Sequence, residues 1–415
     1  MEELHRKNSL FLMIVTTALL VLTFPGPMMG ADIPSVMDVI KEKAPVPAIE
    51  DLTGGKVKIG DLIDKNNVDL VKEYVSAGIH EAIRQGMVMR IGQQIPREMH
   101  VPDWFRNMTK KNKGKAVIDE NGTCYYEKMG VLWPGGLPFL EPRNGLEVLA
   151  NVKYGVVPDD FRNYPNMMIL IDSKGKPYKT IGMDHRIMYF TSRKTLPPIG
   201  AIPGYEEVGW KKISVMTSPH ELKGLGQYNV RYYDDSKYYD TGFAYLPAFK
   251  RTIRISSTTW QDNIGGSDLT YGDGQGLQEP YSDWSFELVG VQYMLLPEPK
   301  SPFPVLDEKG RIDKRLEFDI NKKYPRLGWA IWPVWVVEAT PRIKHIYGKK
   351  ILHVPAWPYW TPLAQIKLAE IYDKQMKLWK FYLAMMGDYN VTEKCVTDWG
   401  LFLPDLQTGH MSQYW

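Results

Sequence analysis

The chain has 415 residues, of which 51 are lysine or arginine and 48 are aspartate or glutamate, so its formal net charge is +3. This near balance does not favour nucleic acid binding, which usually shows as a basic face or a basic run. A chain of this length can form one large domain or two ordinary ones, and an all-β unit can use most of it as a single core.

The N terminus has the pattern of a signal peptide. Basic residues precede an apolar run over 10–24, which ends at Pro25. The run is shorter than the ~20 residues that a membrane-spanning helix needs. Because small residues follow it, we expect cleavage after Gly30 or Ala31, with an uncleaved membrane anchor as the alternative. The sequence therefore predicts a signal peptide over 1–31 and a periplasmic protein.

Short β-rich runs dominate the rest of the chain, and Gly, Pro, Asn and Asp separate them. Runs this frequent predict a mainly β (α+β) fold, with an antiparallel sheet curled into a barrel or half-barrel. The helices that a parallel α/β fold needs between its strands are missing from the pattern. The predicted strands are 87–91, 123–128, 146–153, 167–172, 185–191, 212–216, 228–233, 242–246, 251–256, 284–295, 329–337, 350–354, 365–372 and 377–383.

Composition also divides the chain into segments. Residues 32–66 are rich in proline, glycine and charge and are expected to form an extended N-terminal lead-in. A helix that Asn67 caps and Gly86 ends follows the lead-in. We expect one half-barrel domain with long loop insertions over 67–387 and a C-terminal tail over 388–415.

One loop has a pattern that could bind a cation. Residues 265–274 read Gly-Gly-Ser-Asp-Leu-Thr-Tyr-Gly-Asp-Gly, which resembles a calcium-binding nonapeptide of a β-helix. Such sites need stacked repeats, so a structured turn is the preferred interpretation. The histidines show no metal-ligand spacing, and no nucleophile elbow is present. The sequence therefore predicts no catalytic residue, no metal site and no cofactor.

Aromatic residues make up 12% of the chain and methionines number 20, which suits a cavity for a flexible apolar ligand and a packed core equally well. Within 249–256, Arg251 and Ile253 share one strand face, while Thr252 and Arg254 share the other. Either arginine could meet an anionic head group or an acidic partner, or pair with a neighbouring carboxylate. The candidate ligand-binding residues are Phe243, Tyr245, Phe249, Arg251, Ile253, Trp284, Phe286, Trp332 and Trp335.

The chain has two cysteines, Cys124 and Cys395. An exported protein works where disulfides persist, so the two could be bridged. Two unpaired buried thiols are the alternative.

Six segments carry a resemblance to a known family. They are 135–139, 243–251, 266–284, 336–340, 345–354 and 366–380. These segments are similar to the LolA/LolB-like outer-membrane lipoprotein-sorting superfamily, in the branch known as domain of unknown function 1329. The likeness covers roughly 68–381. It implies an incomplete antiparallel barrel wrapped around helices, with an apolar pocket for acyl chains or other lipids.

The resemblance and the signal peptide together favour a non-enzymatic function. We expect a periplasmic binding, carrier or export-accessory protein for a lipid or other hydrophobic molecule destined for the outer membrane. The resemblance implies two partners, an inner-membrane export pump and an outer-membrane protein. The alternatives are a secreted, hydrolase-like enzyme acting on an apolar or glycan substrate, and an outer-membrane β-barrel, which the terminal Tyr414 and Trp415 suggest.

Overall fold

The computed structural model describes most of the chain. The described residues are 33–93, 103–155, 160–194, 196–255, 257–298, 323–324, 327–358, 366–386, 389–390, 395–396 and 399–414. The predicted signal peptide over 1–31 lies outside them. Across these ranges, no helix combines the length and the apolar character needed to cross a membrane.

The α-helices of the described chain are short. They are α1 (Val36–Ile40), α2 (Ile49–Leu52), α3 (Ala77–Arg84), α4 (Asp103–Asn112) and α5 (Gly145–Tyr154). Short 3-10 helices supplement them at Val68–Tyr74, Pro247–Phe249, Ser257–Gln261, Tyr271–Gly276 and Tyr281–Asp283.

Strands account for most of the regular structure. They are β1 (Leu62–Ile63), β2 (Met89–Ile91), β3 (Ala116–Ile118), β4 (Cys124–Tyr126), β5 (Phe161–Ile171), β6 (Pro177–Tyr189), β7 (Thr191–Arg193), β8 (Gly200–Ala201), β9 (Val208–Ser218), β10 (Gly226–Tyr232), β11 (Thr241–Leu246), β12 (Arg251–Ile255), β13 (Trp284–Pro297), β14 (Gly328–Pro341), β15 (Lys349–Pro355), β16 (Leu368–Tyr372), β17 (Leu378–Met386), β18 (Tyr389–Asn390), β19 (Cys395–Val396), β20 (Trp399–Pro404) and β21 (Met411–Tyr414).

One large sheet contains most of these strands. From one edge to the other its order is β13, β14, β15, β16, β17, β20, β21, β5, β6, β9, β10, β11 and β12, and all these neighbours pair antiparallel. The short strand β2 pairs parallel to the start of β14, and β1 pairs antiparallel with β2. The sheet is curved but not closed, so the predicted incomplete barrel is confirmed.

The C-terminal residues are part of the sheet's centre. Strands β20 and β21 lie between β17 and β5, so they join the two halves of the sheet. The C-terminal tail predicted over 388–415 is therefore wrong for 399–414, which contribute these two strands. The apolar run Trp399–Pro404 is a strand that only pairing with distant segments could locate.

Two other secondary-structure predictions, one of a strand and one of a helix, also need correction. The predicted strand 146–153 is helix α5, whose N-cap Asn144 accepts a hydrogen bond from the Glu147 backbone N–H. Its apolar residues lack the strict alternation of a half-buried strand. The predicted single helix after Asn67 is a 3-10 helix followed by α3, because Ser76 starts a new helix by accepting a hydrogen bond from the Ile79 N–H.

The segment 32–66, predicted as an extended lead-in, has more regular structure than expected. It contains α1, α2 and β1, and Val39, Ile49 and Ile63 from these elements are buried in the core. Their burial contributes apolar contacts that an extended segment on the surface would not make.

The central strands are covered on both faces. On one face, which we call the N-terminal face, Ile79 and Ile83 of α3 share a core with Phe381 of β17. On the opposite face, which we call the α5 face, Val148 of α5 shares a core with Tyr382 of the same strand. Because successive strand residues point to opposite faces, strands buried on both sides read as continuous apolar runs.

The strands from β9 to β12 lie beyond the part of the sheet that is covered on both faces. On the N-terminal face, Ile213, Tyr228 and Phe243 lie directly opposite one another on β9, β10 and β11. Their side chains remain 43%, 36% and 36% exposed. The open end of the sheet therefore presents apolar side chains that the described helices do not cover.

Candidate binding cleft on the α5 face

A cleft of about 100 Å³ lies where α5 ends and the sheet continues toward β9 and β10. Its walls come from α5, the end of β6, β9, β10 and the segment 275–281. Aromatic residues provide much of the lining. They are Tyr154, Tyr189, Trp210, Tyr232, Tyr233 and Tyr281. The cleft is smaller than the ~300–1,000 Å³ typical of pockets that enclose a whole drug-sized ligand.

A buried ion pair forms the wall of the cleft beneath α5. Lys153 Nζ donates a hydrogen bond to Asp235 Oδ1 at 2.7 Å, and the same ammonium lies 5.2 Å and 5.3 Å from the ring centres of Tyr154 and Tyr281. Asp235 Oδ2 is buried and has no hydrogen-bond donor among the described residues. A bound molecule with a hydroxyl or amine could supply that donor, since buried carboxylate oxygens are normally hydrogen-bonded.

A second ion pair shapes the β10 side of the cleft. The Arg231 guanidinium contacts both oxygens of Asp240, with Nη2 at 2.9 Å from Oδ2, and donates to the Gln278 carbonyl at 2.6 Å. It also lies 5.2 Å from the Trp210 ring and 5.0 Å from the Trp260 ring. The arginine therefore holds the indole of Trp210, strand β10 and the segment around Gln278 in one fixed arrangement.

The segment that forms the far wall is held by a buried charge cluster. Asp273 accepts hydrogen bonds from Lys350 Nζ at 2.9 Å, from Lys380 Nζ at 3.1 Å and from the Tyr347 hydroxyl at 2.7 Å. Burial alone raises the pKa of the Asp273 carboxyl, but the two ammonium groups hold that pKa far below its usual value. All three charged side chains are almost fully buried. The cluster joins the 3-10 turn Tyr271–Gly276 to β15 and β17.

This cluster explains the calcium-like sequence over 265–274. The second carboxylate of this sequence, Asp273, accepts hydrogen bonds from two lysines and a tyrosine. The lysine ammonium groups therefore occupy the place that a cation would take. Within the described ranges, no group of three or more histidine, cysteine, aspartate or glutamate side chains could hold a metal ion. The structured turn is the interpretation that the geometry supports.

Hydrogen bonds of Glu279 hold the other end of the segment 275–281. The Trp284 indole N–H donates to Glu279 Oε2 at 2.8 Å, and Glu279 Oε1 lies 3.0 Å from His345 Nε2. Trp284 is buried, so its place is in this structural network rather than on the cleft surface.

The structure does not bring the nine candidate ligand-binding residues into one cavity. Trp284, Phe286 and Trp335 belong to the core beneath α5, where Trp335 pairs with Val291, several residues along β13 from Trp284 and Phe286. Trp332 lies in the core of the opposite, N-terminal face. An odd separation along β14 places Trp332 and Trp335 on different sides of the sheet.

The other five candidates lie on or beside the β11–β12 hairpin at the open end. Phe243 and Tyr245 share the N-terminal face, and Phe249 is 68% exposed in the turn between the two strands. Arg251 and Ile253 are exposed on β12. The predicted face sharing along β12 is confirmed, since Ile253 pairs with Ala244 and Arg254 pairs with Phe243. Ligand contact by any of the nine stays a prediction.

Sequence reasoning missed the cleft residues themselves. Lys153 was assigned to a strand, and Trp210 and Arg231 were not singled out. The alternation Trp210, Lys212, Ser214 on β9 was the available signal, because it places a ring and polar groups on one strand face. That pattern alone does not show whether the face is solvated or enclosed.

Cys124 is buried and forms no disulfide with any cysteine whose side chain the structure describes, and burial raises the pKa of its thiol to about 12. The side chain of Cys395 lies outside the part of the structure that is described. A bridge between them stays a prediction.

A family model described as a protein of unknown function, DUF1329, matches residues 62–414. The match covers most of the chain. The chain belongs to the DUF1329 family. The family predicted from the sequence is therefore confirmed. No curated protein matches this DUF1329 chain.

Solved structures that resemble this DUF1329 protein share limited sequence identity with it. A domain named for outer membrane lipoprotein sorting from Vibrio parahaemolyticus is 19% identical, with a TM-score of 0.42, over 65% of this chain and 88% of that one. A DUF1329 family protein from Desulfovibrio piger is 14% identical, with a TM-score of 0.43, over 65% and 88%. A LolA superfamily protein from Nitrosomonas europaea is 13% identical, with a TM-score of 0.37, over 66% and 91%.

Proposed function

We propose that this DUF1329 protein is exported to the periplasm and binds or carries a lipid or another hydrophobic molecule destined for the outer membrane. The observation that carries the proposal is the contrast along the α5 face. That face is filled between α5 and the central strands but opens into an aromatic cleft beside β9 and β10. A cleft of about 100 Å³ accommodates one ring or head group, so the rest of a guest would lie along the uncovered strands.

Apolar residues continue from the cleft toward the edge of the sheet. Ala244, Ile253 and Ile255 lie on the α5 face of β11 and β12, because the pairing register relates them to β9 and β10 residues of that face. Rigid aromatic rings with adjacent aliphatic surface suit a flexible apolar ligand.

The first experiment measures binding directly. The protein is purified without detergent, extracted with organic solvent and analysed by mass spectrometry, while a fluorescent fatty acid is titrated into the delipidated protein. We expect a co-purified amphiphile and saturable binding. Trp210→Ala should weaken binding, whereas Tyr228→Ala, on the opposite face of the neighbouring strand, should leave it unchanged. Absence of both extracted lipid and probe binding would overturn the proposal.

Localisation and partners need separate measurements. We expect osmotic shock to release a mature protein that begins after Gly30 or Ala31, which intact mass determines. In vivo cross-linking should capture an inner-membrane export pump and an outer-membrane protein. Retention of the full-length chain in the membrane fraction would contradict export by a cleaved signal peptide.

A further inference from the structure

Lys212 occupies an unusual place on the α5 face. It lies in the middle of β9, directly between Ile187 of β6 and Asn229 of β10. Its side chain is half-buried, as are its same-face neighbours along the strand, Trp210 and Ser214. A lysine on a partly enclosed sheet face is normally paired with a carboxylate, because its charge is costly to desolvate.

Lys212 has no such pair within the described ranges. Its ammonium makes no hydrogen bond or ion pair there, and it lies 5.4 Å from the centre of the Trp210 ring. The nearest carboxylate in the charge network, Asp240, has both oxygens engaged by Arg231. Burial first, and then the positive charge of Arg231, lower the pKa of Lys212 to about 8. The negative charge of Asp240 acts against this shift, but among the described residues Asp240 forms no ion pair with Lys212.

The row of residues that crosses the sheet through Lys212 is polar beside the lysine and apolar at its outer end. Two residues along β9, Ser214 Oγ lies 2.7 Å from His185 Nδ1, and Asn229 lies opposite Lys212 on β10. Beyond Asn229 the row continues through Gly242 to Ile255 at the edge of the sheet. Positive charge and polar groups are thus followed by an aliphatic side chain at the edge.

We infer that Lys212 binds the oxyanion of an amphiphile, a carboxylate or a phosphate, whose apolar part lies against Ile255 at the edge of the sheet. This inference rests on the proposed binding function and names the chemistry of its ligand. An oxyanion at Lys212 supplies the missing negative charge, and an ammonium donates its hydrogen bonds to such an anion most strongly where water is partly excluded. The side chains of Asn229 and Ile255 close over Gly242, with Asn229 Nδ2 at 3.0 Å and Ile255 Cβ at 3.3 Å from the position of a Cβ there. An alkyl chain would therefore lie on the outer surface of Ile255.

Matched probes test the head group separately from the chain. Dodecanoate, dodecyl phosphate and dodecanol share an alkyl tail, and each is titrated into the delipidated mature protein. We expect the two oxyanions to bind at least ~10-fold more tightly than the alcohol, which corresponds to one hydrogen bond to a charged group. The ratio of dodecanoate to dodecyl phosphate affinity distinguishes a fatty acid from a phosphate-bearing lipid.

Variants assign the effect to Lys212. Lys212→Met keeps the length of the side chain and should weaken oxyanion binding by ~10-fold while changing dodecanol binding by less than about 2-fold. Lys212→Arg should retain the preference. Lys211→Met removes a neighbouring charge from the opposite face of β9, where Lys211 contacts the Phe190 and Tyr205 rings, and should have no effect.

Two results would overturn the inference while leaving the binding function intact. One is equal affinity of the wild-type protein for dodecanoate and dodecanol. The other is an unchanged oxyanion preference in Lys212→Met. If none of the probes binds, the proposed function fails together with the inference, so the two failures are distinguishable.

Discussion

The centre of the sheet and its β9–β12 end are made of similar antiparallel strands, yet their surroundings differ. In the centre, Phe381 and Tyr382 of β17 are both buried, one on each face. At the end, Ile213 is 43% exposed on one face, and on the other Lys212 is half-buried without a hydrogen bond or ion pair to the described residues. The comparison separates a region that stabilises the fold from one whose side chains remain available to a ligand.

Charged groups differ between the two regions in the same way. In the centre, the ammonium groups of Lys350 and Lys380 both donate hydrogen bonds to the Asp273 carboxylate. At the end, Lys212 lacks such a partner among the described side chains. A buried charge that is fully paired acts as structure, whereas a half-buried, unpaired charge is a candidate for binding.

The largest expected effect comes from removing the central charge pairing. Asp273→Asn leaves two buried ammonium groups without a counter-ion and should lower the free energy of unfolding by about 3–5 kcal/mol. Denaturant unfolding of the mature protein measures it. Glu287→Gln, at an exposed position of β13, is the control and should change stability by less than about 0.5 kcal/mol. A loss no larger than that of the control would show that the cluster does not hold the fold together.

A direct comparison of two phenylalanines tests the difference in burial. Phe381→Ala removes a fully buried ring from the centre and should cost about 3–5 kcal/mol. Phe243→Ala removes a ring that is 36% exposed at the open end and should cost less than about 1 kcal/mol. Both are measured by denaturant unfolding. Similar losses for the two variants would remove the distinction between the regions.

Lys367 is an exception to the charge pairing of the centre, and the pH dependence of stability should report it. Lys367 is buried, its Nζ has no hydrogen-bond partner among the described residues, and burial lowers its pKa to about 7. The unfolded chain holds this proton up to about pH 10, so between pH 7 and pH 10 it binds more protons than the folded protein.

Stability should therefore rise as the pH increases through this window, by about 2 kcal/mol between pH 7 and pH 9. Lys367→Met should abolish that part of the rise and stabilise the protein at pH 7. Chemical denaturation of both proteins at the two pH values measures the difference. Parallel pH profiles for the variant and the wild type would show that Lys367 is charged and compensated in the folded state.

The smallest effect concerns reactivity rather than stability. Cys124 belongs to a small core with Ala150 and Tyr154 of α5, and burial raises its pKa to about 12. In the reduced protein, iodoacetamide should modify Cys124 only after unfolding, because the thiolate is the reactive form. Peptide mapping detects the modification. Rapid labelling of the native protein would place Cys124 in an accessible region instead.

Some elements were predictable because the signal is local. The alternation and turn residues around β10 to β12 predicted those strands, and the register confirmed which β12 residues share a face. The segments that resemble the DUF1329 family predicted the incomplete barrel. Helix α5 was mistaken for a strand because its apolar run over 146–153 fits either structure without knowledge of the neighbouring strands.

The sequence by itself determined that this is a mainly β chain of the DUF1329 family, because strand periodicity and family motifs are properties of contiguous residues. Only the tertiary structure decided that β20 and β21 occupy the sheet's centre and that Asp273 meets Lys350 and Lys380, which lie 77 and 107 residues away. It also decided which lysines are paired and which, like Lys212, are not. Contacts across a sheet depend on strand order and register, and spacing along the chain does not encode either of them directly.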